Sequence, residues 1–125
     1  MKKTLSLIFF IFSLNAAHAA NAEVYLSCPG LDERAPDLLV ILDKSNSKAS
    51  LQSPSSGVGL NFTADASFGP TVVTWRRDSG SLKHTFSVDR ATLYFERKTI
   101  DTSNGLNMTK KTKCTLVKKN SGNKF

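Results

Sequence analysis

LKHTFSVDRATLYF, residues 82–95, is the stretch that decides the fold. Leu82, His84, Phe86 and Val88 occupy alternate positions in it. Leu93 and Phe95 resume the same period after a polar corner at Asp89-Arg90. A period of two is what a pleated strand imposes when one face is buried and the other meets water. The segment therefore reads as two β-strands joined by a tight turn.

The flanks read the same way. Upstream, residues 72–76 predict a strand with Val73 and Trp75 on one face, and Asp78-Ser79-Gly80-Ser81 supplies the turn into the central hairpin. Val58, Leu60 and Phe62 alternate with polar or small residues and predict another strand, with residues 65–70 as the loop that follows. Residues 48–52 place Ala49 and Leu51 inward, and residues 38–42, LLVIL, form a short apolar run bounded by Pro36 and by the turn chemistry of Asp43-Lys44-Ser45-Asn46. Residues 24–28, VYLSC, alternate Val24, Leu26 and Cys28 and end at Pro29-Gly30. Downstream, Asn104-Gly105 is a hairpin signal. Residues 108–117 then form the last strand, with Met108, Cys114 and Leu116 on one face. No segment carries a helical period. About eight short strands spaced by turns predict an all-β protein, a single small antiparallel β-barrel or sandwich.

The chain opens with Met-Lys-Lys, the apolar run LSLIFFIFSL at residues 5–14 and then small residues. Such a basic start, short apolar stretch and A-x-A site form a secretory signal peptide over residues 1–19, cleaved after Ala17-His18-Ala19. Ala20-Asn21-Ala22 is an alternative site that leaves Glu23 first. The apolar run is too short to span a bilayer, which takes roughly 20 residues. Cys28 lies too far behind that run, after a poor lipobox, to serve as a lipid anchor. Residues 20–125 are expected to form one domain, exported to a bacterial periplasm or secreted, and monomeric.

Export makes the two cysteines informative. Cys28 and Cys114 both survive processing, and an even pair in an oxidising compartment predicts a disulfide. Such a bond ties the first strand to the last, either as neighbours in a barrel or across two sheets. Charge is uneven as well. Loss of Lys2 and Lys3 takes the net charge from +7 to +5. Residues 97–125 hold eight basic residues and one acid, Asp101. The positive charge therefore belongs to the last strand, with Lys110, Lys111 and Lys113, and to a basic C-terminal tail. Lysines there either attract an acidic partner or guard a sheet edge. In an exported protein an acidic protein, lipid headgroups or lipopolysaccharide are more accessible than nucleic acid, and the stripe lacks the aromatic platform that single strands stack on.

Motifs for catalysis are missing. His84 is the one histidine of the mature chain, and it falls in phase with the apolar face. No serine sits in a G-x-S-x-G elbow, and a disulfide leaves no thiol nucleophile. A metal site on one histidine without a free thiolate is not expected, and neither is a cofactor. The expectation is a protein that is not an enzyme and that binds a protein or an envelope component. Candidate contacts are Trp75-Arg76-Arg77, since Trp and Arg are favoured interface anchors, with Arg76 facing away from the core and Arg77 beginning the turn. Ser79 and Lys83 flank the next turn, and Asp89-Arg90 forms the corner of the central hairpin, where local hydrogen bonds order the chain. A carrier holding a small apolar ligand in a barrel mouth, in the manner of lipocalins, is the alternative.

On Val24-Tyr-Leu-Ser-Cys28, the Phe86-Ser-Val-Asp-Arg-Ala-Thr-Leu93 hairpin, the late Cys114 and the terminal Asn-Lys-Phe, the chain resembles a class of small uncharacterised exported bacterial β-proteins. It is similar, less closely, to the periplasmic inhibitors of C-type lysozyme. Those are small β-barrels with an early Tyr-x-Cys-like start and a late cysteine, and their inhibitory loops present a serine and a lysine. That second resemblance implies Ser79 and Lys83 as contacts. The aromatic residues around the inhibitory motif have no counterpart here.

Overall fold

The computed structural model describes residues 23–118, and the expected signal peptide and the tail beyond Lys118 lie outside them. Nine strands form one antiparallel sheet: β1 (Glu23–Ser27), β2 (Leu39–Asp43), β3 (Lys48–Gln52), β4 (Phe62–Phe68), β5 (Val72–Ser79), β6 (Leu82–Asp89), β7 (Tyr94–Asp101), β8 (Leu106–Lys113) and β9 (Thr115–Val117). Their order is β8-β7-β6-β5-β4-β3-β2-β1-β9. Each strand from β1 to β7 pairs with the next, and β9 crosses back to pair with β1, giving a nearly closed barrel.

Two corners make this closure possible. Cys114 alone separates β8 from β9, so one bent strand gives its first part to β7 and its last three residues to β1. Counted that way the barrel has the expected eight strands. The second corner lies within β4, where Asp65 pairs with Lys48 of β3 and Ala66 with Trp75 of β5. The Cys28–Cys114 disulfide sits at the first corner, with the Cα atoms 4.5 Å apart. It links the end of β1 to the bend of the last strand, as the cysteine pair predicted.

The interior is filled. Trp75, Phe86 and Phe95 stack at ring separations of 5.5 to 6.0 Å, and Phe62 packs on Phe86 at 5.7 Å. Around them lie Leu26, Leu38, Val40, Leu51, Val73 and Val88, all essentially without solvent contact. Aromatic and β-branched side chains on facing strands are the pairs that stabilise sheets. At the end of the barrel where β1 finishes, the segment between β1 and β2 folds inward and buries Leu31 and Ala35. It passes close to β8: a Cβ on Gly30 would stand 2.6 Å from Thr112 Oγ1, so a larger residue there would have to turn the Thr112 hydroxyl aside.

Several expectations need correcting. Val58–Leu60 is a 3-10 turn rather than a strand, and Leu60 is its buried anchor. The strand there begins at Phe62 and runs through Asp65 to Phe68, where a loop was expected. Its inward residues are Phe62, Ala64, Ala66 and Phe68, and two small alanines hide the alternation. Strand β5 continues to Ser79, so the turn is only Gly80-Ser81, with Gly80 at φ 60°. Leu93 is not in a strand: it has φ 68° and packs against the core from the β6–β7 turn. Met108 and Leu116 are exposed: Met108 lies on the edge strand β8, and Leu116 lies at the open mouth of the barrel. Among the described residues no helix is long and apolar enough to cross a membrane.

Candidate functional site

Three places gather polar groups or uncovered apolar surface. The first is the end of the barrel beneath the β1–β2 segment. Register puts Arg77 opposite His84 and His84 opposite Thr99, while Phe86 stands opposite Arg97. Arg77 is therefore on the inner face of β5, not in the turn as its sequence position suggested, and its guanidinium lies 4.5 Å above the Phe62 ring. His84 and Thr99 share a hydrogen bond of 2.9 Å. Burial, and then the charges of Arg97 and Arg77, hold the His84 imidazole below its ordinary pKa.

Arg97 is nearly buried, with 12% of its side chain exposed, and its carboxylate partner is Asp32 at 3.4 Å. Asp32, 8% exposed, also receives two side-chain hydrogen bonds and a backbone one from Arg34. Those bonds hold its carboxyl far below the usual carboxylate range, against the opposing effect of burial, and the charges of Arg34 and Arg97 add to them. This is an ion-paired strap that fixes the β1–β2 segment over the barrel end. Nothing in the sequence singled out Asp32 or Arg97. The usable signal was positional, because Arg97 keeps the inward parity of Phe95.

The second place is the opposite mouth. A cleft of about 340 Å³ opens there, floored by Leu26, Leu42, Val73 and Val88 and walled by Phe68 and Leu93. Val24 and Leu116 form its apolar rim and stay 38% and 63% exposed, although their parity points them inward. The remaining two lining residues are Lys44 and Arg90. Arg90 gives one N–H to the Gly69 carbonyl. Asp89 accepts the N–H groups of Ala91 and Thr92 and so orders the corner, as expected.

The third place is β8. It pairs only with β7, and Cys114 carries the chain away from it, so its other edge is unpaired among the described residues. Leu106, Met108 and Lys110 lie on its inner side and Asn107, Thr109, Lys111 and Lys113 on its outer side, and all seven are exposed. Lys111 and Lys113 approach the exposed Tyr94 ring at 5.1 and 5.8 Å. Of the other candidates, Trp75 is core, with a buried Nε1 that has no hydrogen-bond partner among the described residues, so it cannot be a surface anchor. Arg76 is exposed. Ser79 is exposed at the β5–β6 tip, where Lys83 pairs with Asp78 at 3.5 Å. The sequence candidates thus scatter over the tip, the corner and the β8 edge rather than forming one site.

Among the described residues no group of three His, Cys, Asp or Glu side chains is placed to hold a metal ion. Compared with known proteins, the chain matches no protein-family model, no curated protein and no solved structure.

Proposed function

We propose that this chain is an exported, non-enzymatic binding module that recognises a protein partner through the free edge of β8, the partner adding an acidic extended segment as a further strand. The observation that carries the reading is the β8 edge, unpaired among the described residues, with Lys110, Lys111 and Lys113 along it and exposed Leu106 and Met108 beside them. Strand addition supplies backbone hydrogen bonds for affinity, and alternate side chains supply specificity. Lysines that repel a second copy of the same edge are compatible with an acidic partner. The stacked aromatic core fits a surface binder better than a hollow carrier.

The test is a titration of the isotope-labelled, disulfide-bonded domain with a peptide that alternates glutamate and valine, followed by backbone amide shifts. Perturbations should concentrate on β7 and β8, weaken with salt and disappear in a Lys110→Glu/Lys111→Glu variant. Shifts spread evenly over the barrel, or none at all, would reject the edge.

A second reading has one specific observation behind it. The β5–β6 tip exposes Ser79 with Lys83 beside it, the residue pair implied by the resemblance to lysozyme inhibitors. A lysozyme cleft carries two catalytic carboxylates that a lysine can approach. Inhibition of cell-wall lysis that Lys83→Glu relieves, and that the β8 variant leaves intact, would favour the tip over the edge.

A further inference from the structure

We infer that the mouth between Val24 and Leu116 is a binding site for a free single-chain alkyl carboxylate, with the chain in the cleft and the head group at Lys44 and Arg90. The inference goes beyond the edge-strand reading and does not depend on it.

Eight of the ten residues lining this cleft are apolar, two are basic and none is acidic. The nearest carboxylates along the chain are engaged elsewhere. Asp43 accepts from Ser45 and Asn46, and Asp89 caps its own turn. Neither Lys44 nor Arg90 has a carboxylate within ion-pairing distance among the described residues. Glu23, opposite Asp43, accepts from Tyr25. Cations free of a direct ion pair beside an apolar cleft suit a ligand with a greasy body and one negative end. A neutral hydrocarbon would use the floor and leave both cations idle, and a cation would be repelled.

The rim points to an occupant as well. Leu116 belongs to the inward parity of β9, opposite the fully buried Leu26, yet it is 63% exposed. Val24, next along β1 on the same side, is 38% exposed. A chain rising from the floor would cover both. Depth limits its length: the Val73 and Val88 layer is followed by stacked Trp75 and Phe86, which close the barrel below. At about 30 Å³ for each water-sized group, the cleft takes a chain of roughly eight to ten carbons. That is shorter than the acyl chains of most membrane lipids, which favours the free carboxylate over a lipid held in a bilayer.

Calorimetry of the disulfide-bonded domain with decanoate at neutral pH, below its micelle-forming concentration, tests the site. One saturable site is expected. Octanoate should bind about tenfold more weakly, from the loss of two buried methylenes, and decylammonium at least tenfold more weakly than decanoate. Lys44→Gln should lower decanoate affinity severalfold without moving the melting point. Leu116→Glu, at an exposed position, should abolish binding in a folded protein, while Lys110→Glu/Lys111→Glu should leave it unchanged. No saturable binding at millimolar decanoate would overturn the inference. So would equal affinity for decylammonium, indifference to Leu116→Glu, or retention only on phosphatidylglycerol vesicles.

Discussion

At the scale of single residues, the Asp32–Arg97 pair makes the sharpest demand on the fold. Removing the carboxylate leaves a nearly buried guanidinium without its counterion, the costly way to break a buried pair. Asp32→Asn should destabilise the domain by about 2–3 kcal/mol, measured by denaturant unfolding. Arg34→Ala, at a side chain 80% exposed, should cost about 1 kcal/mol or less. Because the folded pKa of Asp32 is depressed, its contribution is complete above the unfolded value, about 3.9, and is lost as pH falls below it. The drop in melting temperature between about pH 5 and pH 2 should therefore be shallower in Asp32→Asn. His84 acts in a different window. Its folded pKa lies below the ordinary 6.5, so between those values the unfolded chain binds a proton that the folded one does not, and stability falls as pH drops through that interval. The imidazole should titrate below 6.5 by NMR, and Arg97→Met should move the midpoint upward. A midpoint at the ordinary value would contradict the burial of the ring.

At the scale of elements, turn chemistry explains both what the sequence made legible and what it hid. Asn104-Gly105 read correctly as the hairpin into β8: Gly105 has φ 77°, its N–H reaches the Asp101 carbonyl at 2.8 Å, and Asn104 Oδ1 accepts the Leu106 N–H. No atom lies within 4 Å of the place a Cβ would take. The cost of Gly105→Ala is then purely the left-handed backbone, about 1 kcal/mol, or a melting point lower by roughly 5 °C. Gly57→Ala, which has the same open space without a positive φ, is the control and should be neutral or slightly stabilising. The hairpin of residues 82–95 was readable because Phe86, Val88 and Phe95 are large, and large side chains make a period of two visible. Strand β4 was not, because Ala64 and Ala66 do the inward packing there and alanine carries no strand signal. The apolar alternation before it, Val58 to Phe62, looked like a strand but only anchors Leu60 through a 3-10 turn. The inward Arg77 and Arg97 were hidden for the opposite reason. Charge on a strand reads as solvent-facing unless the parity of its neighbours is followed through.

At the scale of the whole molecule, closure of the barrel rests on very little hydrogen bonding. Strand β9 holds β1 through three residue pairs, Tyr25 with Val117, Leu26 with Leu116 and Ser27 with Thr115. By contrast, β5 and β6 share eight pairs and β7 and β8 another eight. The Cys28–Cys114 bridge, spanning 86 residues, is placed where the sheet would otherwise part. In the chain-entropy account a loop of that length is worth about 4–5 kcal/mol. A domain of this size has only about 5–15 kcal/mol in all. Cys28→Ala/Cys114→Ala should therefore lower the unfolding free energy by about 4 kcal/mol. Amide exchange should locate the loss. Protection should fall first in β1, β9 and the segment after Cys28, while the β5 to β8 meander keeps most of its own. If the loss were instead uniform, the bridge would act only on the unfolded chain and the corner would hold by packing. If oxidised and double-alanine proteins unfolded at the same denaturant concentration, neither account would stand. The two binding readings depend differently on the same bond. Release of the corner would free β9 and with it Leu116 at the mouth, so decanoate binding should weaken with the double-alanine change. The β8 edge, paired with β7 alone among the described residues, should give the same peptide-induced amide shifts in the double-alanine protein if the proposed strand addition holds.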